Sequence, residues 1–149
     1  LVSLPGQDQA GRTPPSPDLR PRRKNSLRIL LAEDELVNRM FASQVLGRMD
    51  HSVTAVTNGE EVLQALARES FDLILMDVQM PVMDGISATK AIRDGHSACK
   101  NPSIPIVALT AYALESDRDR FLKVGMDDFV AKPFTVEALS QAIDRALSR

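Results

Sequence analysis

Asp77 closes the run FDLILMD, with Asp84 and Gly85 a few positions on. A carboxylate at the tip of a nearly continuous apolar segment loses hydration and is costly unless something uses it. Other polar residues stand in the same kind of place. Glu33 and Asp34 follow RILLA, Thr110 follows PIVAL, and Lys132 follows DFVA. If these runs are strands of one sheet, three carboxylates, a hydroxyl and an ammonium share an edge. Carboxylates crowded in one crevice repel, and some take up protons unless a cation intervenes. Hard oxygen ligands without His or Cys suit Mg²⁺. A carboxylate beside a divalent cation and a lysine is equipped to attack phosphorus and form an aspartyl phosphate. Metal and ammonium would hold the oxygens of the transferring group, which is most of what this chemistry requires. Thr110 would donate its hydroxyl to the phosphoryl once attached.

The elements that must position these groups are legible in the pattern. Short apolar runs occupy 28–32, 52–56, 72–76, 105–109 and 128–131. Three of them are nearly unbroken in Ile, Leu and Val, as in strands covered on both faces. Helical spacing separates them: Val37, Phe41 and Val45 with Met40; Val62, Leu63 and Leu66; Ile86, Ala91 and Ile92; a looser set around Phe121; and Val136, Leu139, Ile143 and Leu147. Thr135 suits the N-cap of the last helix, with Phe134 stapled to Leu139. Glu33 and Asp34 would also favour the start of the first helix, and Asp84 would cap the third. Five strands alternating with five helices predict a parallel sheet with helices on both faces and right-handed crossovers. Ligands of such sheets bind outside the carboxyl ends of the strands, which is where the polar residues fall.

Composition narrows the setting. The chain of 149 residues is long enough for one domain with a real core. Residues 1–27 hold five of the nine prolines and a charge of +3, leaving −5 for the remainder. Such a Pro/Arg-rich stretch cannot bury enough surface to order itself and reads as a disordered linker. Its RPRRK run is too short to argue for nucleic acid or lipid over a solvated linker. No run approaches the length of a membrane span, and the start lacks the pattern of a signal peptide. The lone Cys99 excludes an internal disulfide and fits a reducing compartment.

Residues 28–149 resemble the receiver domain of two-component response regulators. The stretches that carry the resemblance are ILLAEDE, LILMDVQMPVMDG, IVALTAYA and FVAKPF. The resemblance implies a flavodoxin-like (βα)5 fold, a doubly wound five-stranded parallel sheet in the order 2-1-3-4-5. It implies that Asp77 is the phosphoacceptor and that Mg²⁺ is held by Glu33, Asp34, Asp77 and the backbone carbonyl of Gln79. Thr110 is then the switch hydroxyl, Lys132 the phosphate-pairing lysine and Phe129 the aromatic switch position. The Lys132–Pro133 bond is expected to be cis. Glu33 departs from the family's frequent aspartate and reaches farther. Phe129 lacks a hydroxyl and would report by packing alone. Tyr112 and Gln79 would flank the route of attacking water.

The implied donor is a histidine kinase or a His-containing phosphotransfer domain, docking on Leu36, Val37 and Met40 and on the loop after Lys132. The basic linker before the domain, the wording of the motifs, and the lack of a DNA-binding segment after Arg149 point to the carboxy-terminal receiver of a hybrid sensor histidine kinase. A free-standing single-domain regulator is the alternative. The expected setting is cytoplasmic, as a monomer or weak dimer, with no nucleic acid and no direct membrane contact, although the parent protein could be membrane-attached. The domain would assist its own phosphorylation and dephosphorylation without being a stand-alone enzyme. An aspartyl phosphohydrolase would need a D-x-D motif after strand 1, where EDE stands, and a cap domain. A flavin module would need a phosphate loop where the acidic AEDELVNR stands. Asp77, Thr110 and Lys132 are each unremarkable alone; their placement gives them weight. His51 and His96 read as surface residues, the methionines as packing, and Cys99 as inert.

Overall fold

The structure is a computed structural model that describes residues 26–95, 99–111 and 115–148. The sequence expectations for Tyr112, for His96 and for nearly all of the 1–27 linker concern residues outside that range.

Alternating elements run β1 (Arg28–Ala32), α1 (Leu36–Arg48), β2 (Ser52–Val56), α2 (Gly59–Arg68), β3 (Leu73–Asp77), α3 (Gly85–Arg93), β4 (Ile106–Thr110), α4 (Glu115–Val124), β5 (Asp128–Ala131) and α5 (Val136–Leu147). Every strand pairs in parallel, and the sheet order is β2-β1-β3-β4-β5. Two strands are offset by one residue from the apolar runs. Asp77 pairs with Leu109 and Thr110 with Ala131, so each is the last residue of its strand rather than the first after it. At the other end of β3, the Asp72 carboxylate takes the Arg28 N–H at 2.7 Å and stands outside the ladder.

The unbroken apolar runs are explained by two cores, one on each face of the sheet. Leu30, Ile74, Ile106 and Ala108 pack with Val62, Leu66, Ala88, Ile92 and Phe121 of α2, α3 and α4. Their sequence neighbours Ile29, Leu31, Leu73, Leu75, Val107 and Leu109 pack with Leu46, Leu139 and Ile143 of α1 and α5. Side chains alternate across a strand, so a strand buried on both sides must be apolar at every position. Ile29 through Ala32 and Leu73 through Met76 are fully buried. Each such Ile or Leu contributes about 1.5–3 kcal/mol of burial. By the same alternation, Asp77 leaves the end of β3 on the side of Leu73 and Leu75, the α1/α5 side.

Local signals set the helix starts. Asp84 caps α3, accepting from Ser87 N–H at 2.7 Å, and Thr135 caps α5, accepting from Ala138 N–H at 3.1 Å. Phe134 and Leu139 lie in the same apolar cluster. The cap of α1 is Glu35, not Glu33 or Asp34: it accepts from Asn38 N–H at 2.8 Å. The two preceding acids are thereby left to other partners. The apolar spacing in α1 marks the helix correctly but not its buried face. Ala42, Val45 and Leu46 are buried, whereas Leu36, Val37, Met40 and Phe41 are exposed.

At the amino edge of the sheet, Arg93 ties α3 to the α4–β5 turn. Its guanidinium donates to Gly125 O (2.9 Å), Pro102 O (2.6 Å) and Asp127 Oδ2 (3.1 Å). Gly125 has φ +110°, and a Cβ there would press on the Arg93 side chain. Glycine satisfies both demands.

Candidate functional site

The carboxyl edge of the sheet opens into a crevice of about 360 Å³ lined by Glu33, Asp34, Asp77, Gln79, Thr110 and Lys132, among others. All the side chains singled out in the sequence for phosphoryl and metal chemistry therefore converge. Among the described residues, Phe129 alone of the expected site residues lies off the crevice.

Each is placed by the end of a strand. Glu33 follows β1, its N–H donating to Val56 O at 3.0 Å, so the turn out of β1 is tied to β2. Lys132 follows β5, its N–H donating to Thr110 O at 2.8 Å. The Lys132–Pro133 peptide is cis. Gly85 lies close behind Asp77: its N–H donates to Val78 O at 2.9 Å, and a side chain there would run into the Asp77 carbonyl oxygen. That close approach explains the glycine in MDG. Between them, Val82 has φ +68° and is exposed, a rare backbone state for a β-branched residue. The loop is pinned on both sides of Val82, by Met83 N–H to Pro81 O at 2.7 Å and by Gly59 N–H to Met83 O at 2.8 Å.

The electrostatics centre on one ammonium between two carboxylates. Lys132 Nζ donates to Asp77 Oδ2 at 2.9 Å and lies 2.9 Å from Glu33 Oε1. The second contact is ionic only. Glu33 Oε1 is buried and lacks an aligned hydrogen-bond donor among the described residues. The other Glu33 oxygen accepts from Glu35 N–H at 3.1 Å, and Asp77 Oδ1 accepts from Gln79 N–H at 3.2 Å. Burial, and next the adjoining Asp77 carboxyl, push Glu33 up to about 7, against the pull of Lys132 and the Glu35 N–H. Burial draws Lys132 down, but the adjoining Asp77 and Glu33 carboxylates outweigh this and leave it raised.

Those observations also test the site as a cation site. Glu33, Asp34 and Asp77 each offer a carboxylate oxygen, and the three lie within 4.8 Å of one another. Asp34 is exposed, so an ion would have access from solvent. Glu33 is wholly buried with an oxygen left short of a donor, which is the deficit a cation relieves. An all-oxygen set open to water suits a hard divalent ion. The residues fit Mg²⁺.

Phe129 is half-buried on the α4 side of β5, with the Arg118 guanidinium carbon 5.6 Å from its ring centroid. Thr110 is buried at the end of β4. Two residues of the neighbourhood escaped the sequence reading. Glu35 caps α1 and feeds its N–H to Glu33. Arg39 Nη1 donates to the backbone oxygens of Glu33 (3.0 Å) and Asp34 (3.2 Å). A cation in the opening stretch of a helix, just after a pair of acids, was the available signal. Cys99 is half-buried, with its thiol donating to Asn101 O at 3.3 Å.

An acidic crevice faced by one lysine, at the carboxyl edge of a parallel sheet ordered 2-1-3-4-5, defines an α/β module of the flavodoxin-like class built for anionic and metal ligands. The chain belongs to the response regulator receiver domain family, whose sequence pattern matches residues 29–144. It is 41% identical over 116 residues to the sensor protein GacS of Pseudomonas syringae pv. syringae, covering 78% of this chain and 13% of that protein. Its fold is similar to the receiver domain of the sensor histidine kinase PA1611 from Pseudomonas aeruginosa, solved with a magnesium ion coordinated in the active-site cleft. The TM-score is 0.73 at 39% identity, covering 83% of this chain and 99% of that one. A second similar structure is a co-crystal of the Saccharomyces cerevisiae histidine phosphotransfer protein Ypd1 with the receiver domain of the response regulator Ssk1. There the TM-score is 0.72 at 30% identity, covering 82% and 90%. The chain spans about an eighth of the length of the sensor and hybrid histidine kinases it matches. It is a receiver domain homologous to theirs.

Proposed function

We propose that Asp77 accepts a phosphoryl group from a phosphohistidine on a histidine kinase or a His-containing phosphotransfer domain. A carboxylate oxygen of Asp77 forms the new P–O bond while the P–N bond to the donor imidazole breaks, and the imidazole leaves after taking up a proton. The observation that carries this reading is the position of Lys132 Nζ on Asp77 Oδ2, with the Glu33 and Asp34 carboxylates in the same crevice.

Glu33, Asp34, Asp77 and the backbone carbonyl of Gln79 would hold Mg²⁺, which when bound supplies positive charge to the oxygens of the transferring group. Lys132 keeps an ammonium beside the attacking carboxylate and pairs with the phosphoryl oxygens once the bond has formed. Thr110, buried at the end of β4, then donates its hydroxyl to the phosphoryl. Phe129 on the neighbouring strand repacks against α4 in response, shifting the face made by α4, β5 and α5 between two states. The donor docks beside the crevice on the exposed apolar part of α1 (Leu36, Val37, Met40) and on the loop after Lys132. The Ssk1 receiver crystallised with a phosphotransfer protein supports that class of partner. The relatives favour a place in a hybrid histidine kinase, with the domain in the cytoplasm beside its donor. Among the described residues, no helix is long and apolar enough to cross a membrane.

The test is chemical. Acetyl phosphate with Mg²⁺ should add one phosphoryl group to the protein, read by intact mass. Asp77→Asn should abolish the addition. Labelling of that variant at the parent's level would remove Asp77 from the role.

A further inference from the structure

Arg39 is a charged residue that the proposed chemistry does not use. It is the fourth residue of α1, near the positive end of the helix dipole, where a cation is disfavoured. Something must offset that placement.

The hydrogen bonds show what does. One guanidinium nitrogen, Nη1, donates to the carbonyl oxygen of Glu33 at 3.0 Å and to that of Asp34 at 3.2 Å. These are consecutive carbonyls, and they belong to the first two of the three acids of the β1–α1 turn. Two carbonyls drawn to one charged donor restrict the backbone torsions between them, and charge-assisted bonds are the stronger kind. The turn is also tied by the Glu33 N–H to Val56 O and by the Glu35 N–H to Glu33 Oε2. Those bonds place Glu33. The Glu35 N–H and the Asp34 carbonyl belong to one peptide group, so Glu33 Oε2 holds that peptide by its N–H, while Arg39 holds it by its oxygen and joins it to the Glu33 carbonyl. Asp34 is exposed, so packing does not hold it. The neighbouring β2–α2 turn is closed by its own bonds. Glu61 accepts from Thr57 N–H (2.7 Å) and Thr57 Oγ1 (2.9 Å). Those bonds, with a smaller contribution from Arg39, hold its carboxyl below the usual range.

We infer that Arg39 is a positioning residue for the divalent cation, holding the Glu33 and Asp34 peptides so that both carboxylates reach the crevice together. This rests on the reading that those carboxylates hold Mg²⁺. Two simpler roles give different signs. If Arg39 acted only through its charge, it would repel the cation, and its removal would tighten binding. If it only stabilised the fold, its removal would lower stability and leave cation affinity alone.

The experiment is a Mg²⁺ titration of the full chain followed by amide chemical shifts, for the parent, Arg39→Met and Arg39→Lys, with urea unfolding of each. Methionine keeps an apolar stem and removes the donor. Lysine restores one charged nitrogen, and one nitrogen makes both bonds in the parent. Arg39→Met should weaken Mg²⁺ about fivefold to tenfold, and Arg39→Lys should recover most of the loss. Unchanged or tighter binding by Arg39→Met overturns the inference while leaving the Asp77 reading intact. So does a lysine variant no better than methionine at equal urea midpoint. A parent that binds no Mg²⁺ overturns both.

Discussion

Lys132 Nζ lies 2.9 Å from Asp77 Oδ2, although the two residues are 55 positions apart in the chain. The same ammonium stands 2.9 Å from Glu33 Oε1. One cation from the end of β5 thus neutralises carboxylates from the ends of β1 and β3. Its placement makes it a competitor of Mg²⁺ and an aid to phosphoryl transfer at once.

Lys132→Met separates those two effects. Without the ammonium, the crevice carries more negative charge and should bind Mg²⁺ more tightly, by about tenfold or more. The measurement belongs at alkaline pH, well above the value of about 7 of Glu33 in the parent, because losing the pull of Lys132 raises that carboxyl further and protons would otherwise compete. Phosphoryl uptake from acetyl phosphate should fall by about a hundredfold, the usual loss when a charged group facing a transition state is removed. Weaker Mg²⁺ binding would show instead that Lys132 holds the carboxylates together.

Arg93 offers a stability prediction remote from the crevice. Its three bonds to Gly125, Pro102 and Asp127 join α3 to the amino edge of the sheet, and its side chain is 19% exposed. Arg93→Ala should cost about 2 kcal/mol, because the bonds are charge-assisted but partly wet. Urea unfolding would measure it. Phosphoryl uptake should stay at the parent level, since every Arg93 contact lies at the end of the sheet opposite Asp77. A matching loss of uptake in the folded variant would contradict that separation.

His51 predicts a pH dependence. Its Nδ1 accepts the Leu27 N–H at 3.0 Å, so the proton of the neutral ring sits on Nε2. Burial lowers its pKa below 6.5, and the nearby Asp50 and Asp144 oppose this without reversing it. In the window just below 6.5, the unfolded chain therefore binds more protons than the folded one. The His51 contribution to stability is full above 6.5 and is lost as pH falls through the window. His51→Asn keeps an acceptor for Leu27 and cannot protonate. On acidification the parent should lose stability relative to this variant, read as a shift of the difference between their urea midpoints in the variant's favour. A constant difference across the window would refute it.

Much of this was written in the chain. The five apolar runs named the five strands within one residue, because a strand buried on both faces has no position left for a polar side chain. Asp84 and Thr135 announced their helices through the capping chemistry of short polar side chains. Asp77, Glu33, Asp34, Thr110 and Lys132 stood out because polar residues at the ends of such runs need a reason, and a parallel sheet brings all its carboxyl ends to one edge.

Other features depended on distances between segments that are far apart in sequence. Helical spacing placed α1 but not its buried side, since an α1 apolar on several faces has no single stripe to read. Which acid capped α1 was decided by backbone dihedrals, and Glu35 won over two equally suitable neighbours. The single ammonium of Lys132 between Glu33 and Asp77 arises only when the turns are stacked side by side, whereas the guanidinium of Arg39 across two peptide oxygens is a local contact set by the shape of the turn before α1. Residue types and their order along the chain determined which chemistry is available; the packed sheet decided which groups meet, because electrostatic contact acts over ångströms and not along sequence.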